Sequence, residues 1–191
     1  MLVVVFISFS YSIYLFINNS LKRYNFTSLY YDIESLDDSK VHVFNIIVQK
    51  YNNKTGKYLQ FYNESWKCRL FPNYKSISKY KKGELPSLED IKNICKLYQE
   101  DTGIKIYEKS LIYKGEMDDF KFSENDKINK HYVFRFFFVN NNPADNIPEN
   151  KFEYGGKKYY WMTIPEMLKD KNIRKKNRAV VEYVKSFTTS S

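Results

Sequence analysis

Residues 86–103 constrain the fold of this chain most. Pro86-Ser87 opens the stretch and Gly103 closes it, and between them Leu88, Ile91, Ile94, Cys95 and Tyr98 recur at helical spacing. Ser87 is a good N-cap, Asp90 stands where a capping-box acid belongs, and Gly103 is a natural C′ stop. The spacing predicts one mid-chain helix with a single buried face. Asn93, Leu97, Glu100 and Asp101 share another face, beside or opposite that stripe.

The helix sits among predicted strands. Residues 41–50 are rich in Val, Ile and Phe and read as a strand buried on both faces. A turn over 52–56 leads to strands over 57–62 and 66–71, the first pairing back as a hairpin, with Pro72 stopping the second. Residues 73–84 read as loop, 104–113 as strand, 114–116 as turn and 123–130 as loop. The clearest strand is 131–139. Tyr132, Phe134, Phe136 and Phe138 face one side of it, and His131, Val133, Arg135, Phe137 and Val139 the other. After a loop over 140–149 come a short strand over 159–162, a capping box at Thr163 and Glu166, and a helix over 173–187 with Val180, Val181, Val184 and Phe187 inward. Strands around one central helix, closed by a terminal helix, predict an α/β/α sandwich with a mixed sheet.

The first 40 residues read differently. Residues 2–17 carry no charge and are followed by Lys22 and Arg23. As a helix the run would span about 24 Å, and residues 18–21 bring it near the roughly 30 Å of a hydrocarbon core. A membrane anchor over residues 1–24 is therefore expected, with a linker over 25–40 and a domain over 41–188. Basic residues that only follow the run put that domain in the cytoplasm. The net charge of +9 invites a nucleic-acid reading. Yet Lys, Asn, Ile and Tyr are what AT-rich coding sequence overproduces, and Arg, the better bidentate phosphate reader, is scarce. No duplex nucleic acid is expected as a partner. Two isolated cysteines, Cys68 and Cys95, fit reduced thiols, and no C-x-x-C or H-E-x-x-H pattern suggests zinc.

Lys96-Leu97-Tyr98-Gln99-Glu100-Asp101-Thr102-Gly103-Ile104 resembles the second half of a Nudix box, R-E-U-x-E-E-x-G-U. Arg69-Leu70-Phe71-Pro72-Asn73-Tyr74 stands where many Nudix domains carry W-x-L-P-G-G, with the proline kept and both glycines lost. Trp161 to Leu168 resembles the family's late W-x-x-x-x-E-L turn. The resemblance covers about residues 41–187 and implies a Nudix-like α/β/α sandwich, preceded here by one transmembrane helix. With the apolar amino terminus, the chain resembles the SMODS-associated Nudix-like proteins of bacterial anti-phage systems. That likeness implies a sensor or effector on the bacterial inner membrane that binds a nucleotide or cyclic oligonucleotide, with a homo-oligomer left open.

In active Nudix enzymes three acids of the box hold Mg²⁺. Here the first is Leu97, which offers a hard cation nothing, and Glu100 and Asp101 remain as a vestigial metal face. The resemblance thus implies binding rather than hydrolysis. Arg69, Tyr74, Lys75 and Arg135 are the expected ligand contacts: cations for phosphate, and a ring for a base. The structural alternatives are solvated lysines, core aromatics and a salt-bridged Arg135. Two other functions remain: a divergent Mg²⁺-dependent hydrolase recruiting Glu84 or Glu89, and a structural membrane-assembly protein.

Overall fold

The computed structural model describes residues 11, 13, 14, 41–51, 56–123, 128–140, 148 and 151–188. The chain divides into residues 1–40 and 41–191, and the fold below is that of the second unit. The expected anchor and linker lie outside the described residues, save for Tyr11, Ile13 and Tyr14, which are helical. Among the described residues no helix is long and apolar enough to cross a membrane.

Two four-stranded sheets form, where one mixed sheet was expected. The first contains β1 (His42–Gln49), β4 (Asn73–Lys75), β5 (Leu111–Ser123) and β6 (Ile128–Val139), in the order β4-β1-β6-β5. β1 and β6 run parallel, His42 opposite Tyr132 and Gln49 opposite Val139, while β4 and β5 flank them antiparallel. The second sheet contains β2 (Lys57–Asn63), β3 (Cys68–Leu70), β7 (Phe152–Tyr154) and β8 (Lys157–Thr163) and is antiparallel throughout, in the order β3-β2-β8-β7. β2 therefore does not pair back on β1 as a hairpin; a single bridge, Lys50 to Tyr58, joins the two.

The helices are α1 (Leu88–Thr102), α2 (Ile164–Lys169), α3 (Lys171–Lys176) and α4 (Arg178–Thr188). The mixed sheet is buried on both faces because β6 is apolar at odd and even positions. Phe136 joins Ile46, Val48, Val180, Val181 and Val184 in one cluster. Phe137 and Val139 join Ile47, Ile94 and Tyr98 in the other. The sheet thus lies between α1 and α4, the layered sandwich expected. At eleven residues, α4 is too short to persist alone in water. Packing holds it: each fully buried valine contributes roughly 1.5–3 kcal/mol.

Four local expectations change. Leu88 is 59% exposed and does not join the buried face of α1. The predicted loop 73–84 begins with β4. The turn predicted at 114–116 is instead a β-bulge inside one long strand, where Gly115 has φ 134° and an added Cβ would lie 2.9 Å from the Tyr183 hydroxyl. The terminal helix is two helices, broken at Asn177.

Gly103 does close α1, at φ 72° with its N–H on the Gln99 carbonyl. A Cβ there would come 2.7 Å from the Tyr154 ring. Gly103→Ala combines left-handed backbone strain with that contact. It is expected to destabilise by about 1–2 kcal/mol, read as a lower urea midpoint with unchanged slope.

Candidate functional site

α1 carries the acidic face, and its local chemistry is largely spent on the fold. Leu97 is packed against the core cluster that holds Ile94 and Tyr98. Glu100 lies 3.9 Å from Lys96, one helical turn back. The Asp101 carboxylate takes a 2.8 Å ion pair from Lys157 on β8, and its backbone carbonyl accepts from the Tyr159 hydroxyl at 2.9 Å. The Asp101 carboxylate is thus engaged by a lysine, while Glu100 stays exposed beside Lys96. Among the described residues, no group of three or more His, Cys, Asp or Glu side chains is placed to hold a metal. Mg²⁺ demands a near-octahedral oxygen shell, and this donor set does not fit a resident ion.

The four expected ligand contacts do not converge. Tyr74 is buried in the α1-side core, so its ring has no face open to a base. Burial first, then the nearby Asp101 carboxylate, pushes its phenol above the ordinary range, and the hydroxyl stays protonated. Lys75, its neighbour on β4, points the other way and is exposed.

Arg135 is 2% exposed. It lies 3.7 Å from both Asp90 and Glu116 and over the Tyr80 ring, 5.4 Å from its centroid. Asp90 does not close the predicted capping box. Its carboxylate turns inward and accepts from Ser76 Oγ at 2.9 Å and from the Ile77 and Ser78 amides at 3.0 and 3.4 Å, while Ser87 caps the helix by accepting from the Asp90 N–H at 3.1 Å. Arg135 and Asp90 therefore clamp the 76–78 loop to the mixed sheet. That is the salt-bridged alternative, and the pairing satisfies a charge that could not be buried alone.

Arg69 lines a cavity. It is the middle residue of β3, where Cys68 and Leu70 point into the core and Arg69 points away. Its guanidinium donates to Asp170 at 2.8 Å and stacks over Tyr160, 4.8 Å from the centroid. Its Nε is buried without a partner. Asp170 is fixed in turn because its other carboxylate oxygen caps α3, accepting from the Asn172 and Ile173 amides.

The cavity, ≈ 410 Å³, is also lined by Lys57, Lys151, Tyr160, Trp161, Met162 and Glu166. Glu166 faces it from a closed capping box, and the Thr163 amide and hydroxyl hold its carboxyl below the usual range. Trp161 is held by a 2.7 Å bond from its Nε1 to the Pro148 carbonyl and by the tilted Tyr51 ring, 5.2 Å between centroids. Sequence reasoning found Arg69, but missed Lys57, Lys151, Tyr160 and Asp170. The available signal was alternation: Arg69 and Tyr160 are outward polar positions on strands that both pair with β2.

No protein-family model matches this sequence, and no curated protein matches it. Several solved structures overlay on it. A C. elegans Ap4A hydrolase, in a binary complex, is 11% identical and covers 80% of this chain and 99% of its own, with a TM-score of 0.48. A MutT Nudix hydrolase from Burkholderia pseudomallei is 13% identical over 66% of this chain and 86% of its own, at 0.44. A Nudix hydrolase from Nitrosomonas europaea is 14% identical over 79% and 90%, at 0.44. With these TM-scores below 0.5, the overlays are likenesses only. What the structure itself defines is a mixed α/β sandwich with a second antiparallel sheet and a cationic, aromatic cavity at Arg69.

Proposed function

We propose that residues 41–188 form a Nudix-like domain that binds a nucleotide or cyclic oligonucleotide and does not cut it. The carrying observation is the Arg69 cavity. Arg69, Lys57 and Lys151 supply positive charge for phosphate, and Tyr160 and Trp161 supply rings beside it. A guanidinium already oriented by Asp170 and stacked on Tyr160 is preorganised for an anion. Loss of hydrolysis rests on Leu97, half-buried against the α1-side core at the position the resemblance gives to the first metal-binding acid, and on the Lys157 ion pair to Asp101.

The apolar run 2–17 followed by Lys22 and Arg23 supports tethering to a bacterial inner membrane with the domain on the cytoplasmic side. In that setting the chain acts as the sensor or effector of an anti-phage system, as its resemblance to SMODS-associated proteins implies.

The test is thermal unfolding of the full chain against nucleoside di- and triphosphates and cyclic dinucleotides, with and without Mg²⁺, the same samples being assayed for products. A ligand at 100 times its Kd stabilises by about 2.7 kcal/mol. A shift that Arg69→Gln abolishes, with the ligand intact, supports the proposal. Mg²⁺-dependent product would favour the divergent hydrolase, and no shift for any ligand would favour the structural role.

A further inference from the structure

Six cations and one acid fall within residues 169–178, a net +5 of the +9 carried by the whole chain. A composition bias would scatter cations along the sequence, but this stretch concentrates them. α3 lies at its centre and turns one charged face outward. Lys171, Arg174 and Lys175 fall at i, i+3 and i+4, so they project together, opposite the fully buried Ile173. All three are exposed, and none pairs with an acid among the described residues. The acid of the stretch, Asp170, is committed to Arg69 and to capping α3. Arg178 is committed to Glu182, 2.8 Å away.

The turn between β2 and β3 stands beside this face. Lys176 at the end of α3 donates to the Trp66 carbonyl. Asn63 Oδ1 accepts from the Trp66 amide at 2.9 Å, and the Glu64 carbonyl accepts from the Lys67 amide at 3.2 Å. Three bonds thus fix a turn whose indole is 42% exposed. Trp66 also borders an uncharged aromatic cavity of ≈ 290 Å³, walled by Phe44, Tyr132 and Phe134. Lys67 is exposed next to it, as is Glu64, the acid of the turn.

Charge and indole together select a partner. Each Lys or Arg close to an anionic leaflet strengthens attachment roughly fivefold. Tryptophan is favoured at headgroup depth, where its ring meets the apolar layer and its N–H meets water. RNA would be better served by a groove and by bidentate Arg contacts, whereas four of the six cations are Lys and the face is the outside of a helix. We propose that the Lys171–Arg174–Lys175 face of α3, with Trp66 beside it, docks residues 41–188 on an anionic phospholipid bilayer. This contact goes beyond the amino-terminal tether and forms without it. It does not depend on a ligand in the Arg69 cavity.

The full chain is mixed with vesicles of phosphatidylcholine alone, or with a third of it replaced by phosphatidylglycerol. Both carry phosphatidylcholine brominated on the upper acyl chain as a quencher. Tryptophan emission is expected to fall only with the anionic vesicles, and Trp66→Phe should lose that fall. Lys171→Gln, Arg174→Gln and Lys175→Gln combined, all at exposed positions, should dock about a hundredfold more weakly and show no fall. Flotation of the same samples reads the tether apart from the patch. Insertion through residues 2–17 lifts the chain with both vesicles, and α3 alone lifts it only with the anionic ones. The proposal is overturned if emission falls equally with both vesicles or with neither, or if the fall survives the triple change. It is overturned as well if Lys79→Gln, Lys82→Gln and Lys92→Gln combined, equal in charge but on the 73–84 loop and α1, remove the fall as fully. Polyuridine binding that the triple variant loses, with no response to anionic vesicles, would assign the patch to RNA instead.

Discussion

Arg135→Met is expected to lower the unfolding free energy by about 3–5 kcal/mol, the range for breaking a buried ion pair by removing one partner. The side chain it replaces is almost wholly inside, between Asp90 on α1 and Glu116 on β5. Tyr80 lies under the guanidinium and donates to Glu116 at 2.9 Å. Methionine roughly fills the volume, so the loss is electrostatic rather than a cavity. Two carboxylates would then face each other's charge in a site of low dielectric. Asp90 would take up a proton more readily than in the parent, so the deficit should shrink as pH falls from 7 towards 4. Urea titrations at several pH values read this directly. A deficit below 1 kcal/mol at pH 7 would show that the guanidinium does not hold the two elements together.

Asp90→Ala should cost a comparable amount, about 3–5 kcal/mol, for a different mix of reasons. It removes an acceptor from Ser76 Oγ and from the Ile77 and Ser78 amides, and it leaves Arg135 with Glu116 alone. The sign with pH follows from the native carboxyl. Burial pushes its pKa up, yet the hydrogen bonds from the 76–78 loop outweigh burial and hold it below the ordinary value of 3.8. A depressed folded pKa stabilises above the unfolded value and loses that contribution as pH falls through the folded one. The parent should therefore shed Asp90's share only below about pH 4, and Asp90→Ala should lack that acid step. Because the two residues touch, Arg135→Met with Asp90→Ala should cost less than the sum, by roughly 0.5–3 kcal/mol. Simple additivity would refute the clamp.

The parts of the fold legible in the sequence were those written in local periodicity. α1 spans Leu88–Thr102 with Ser87 and Gly103 at its ends, because caps and a 3.6-residue stripe act within a few residues of each other. The Thr163–Glu166 capping box closed as its spacing required. The two faces of β6 were also correct, since alternation fixes them. Elements whose existence depends on distant partners were not legible. β4 is three residues that become a strand only because β1 offers its edge. The bulge at Gly115 looked like a turn because a glycine between polar residues has the same signature in both settings. Asn177 broke a helix that its apolar stripe would have carried through.

The candidate site divides along the same line. Residue type nominated Arg69 and Arg135 equally, as cations on strands. Their neighbours separated them: Asp170, 101 positions away, turns one towards a cavity, while Asp90 and Glu116 bury the other. The sequence by itself determined the helix with its caps and the alternation of the central strand. Those features depend on covalent order and short-range sterics. Only the tertiary structure decided that the strands split into two sheets, that Asp101 is engaged by Lys157, and that cationic and uncharged aromatic cavities open separately. Each of those outcomes depends on which side chains meet across the fold, and burial and charge pairing act through space, not along the chain.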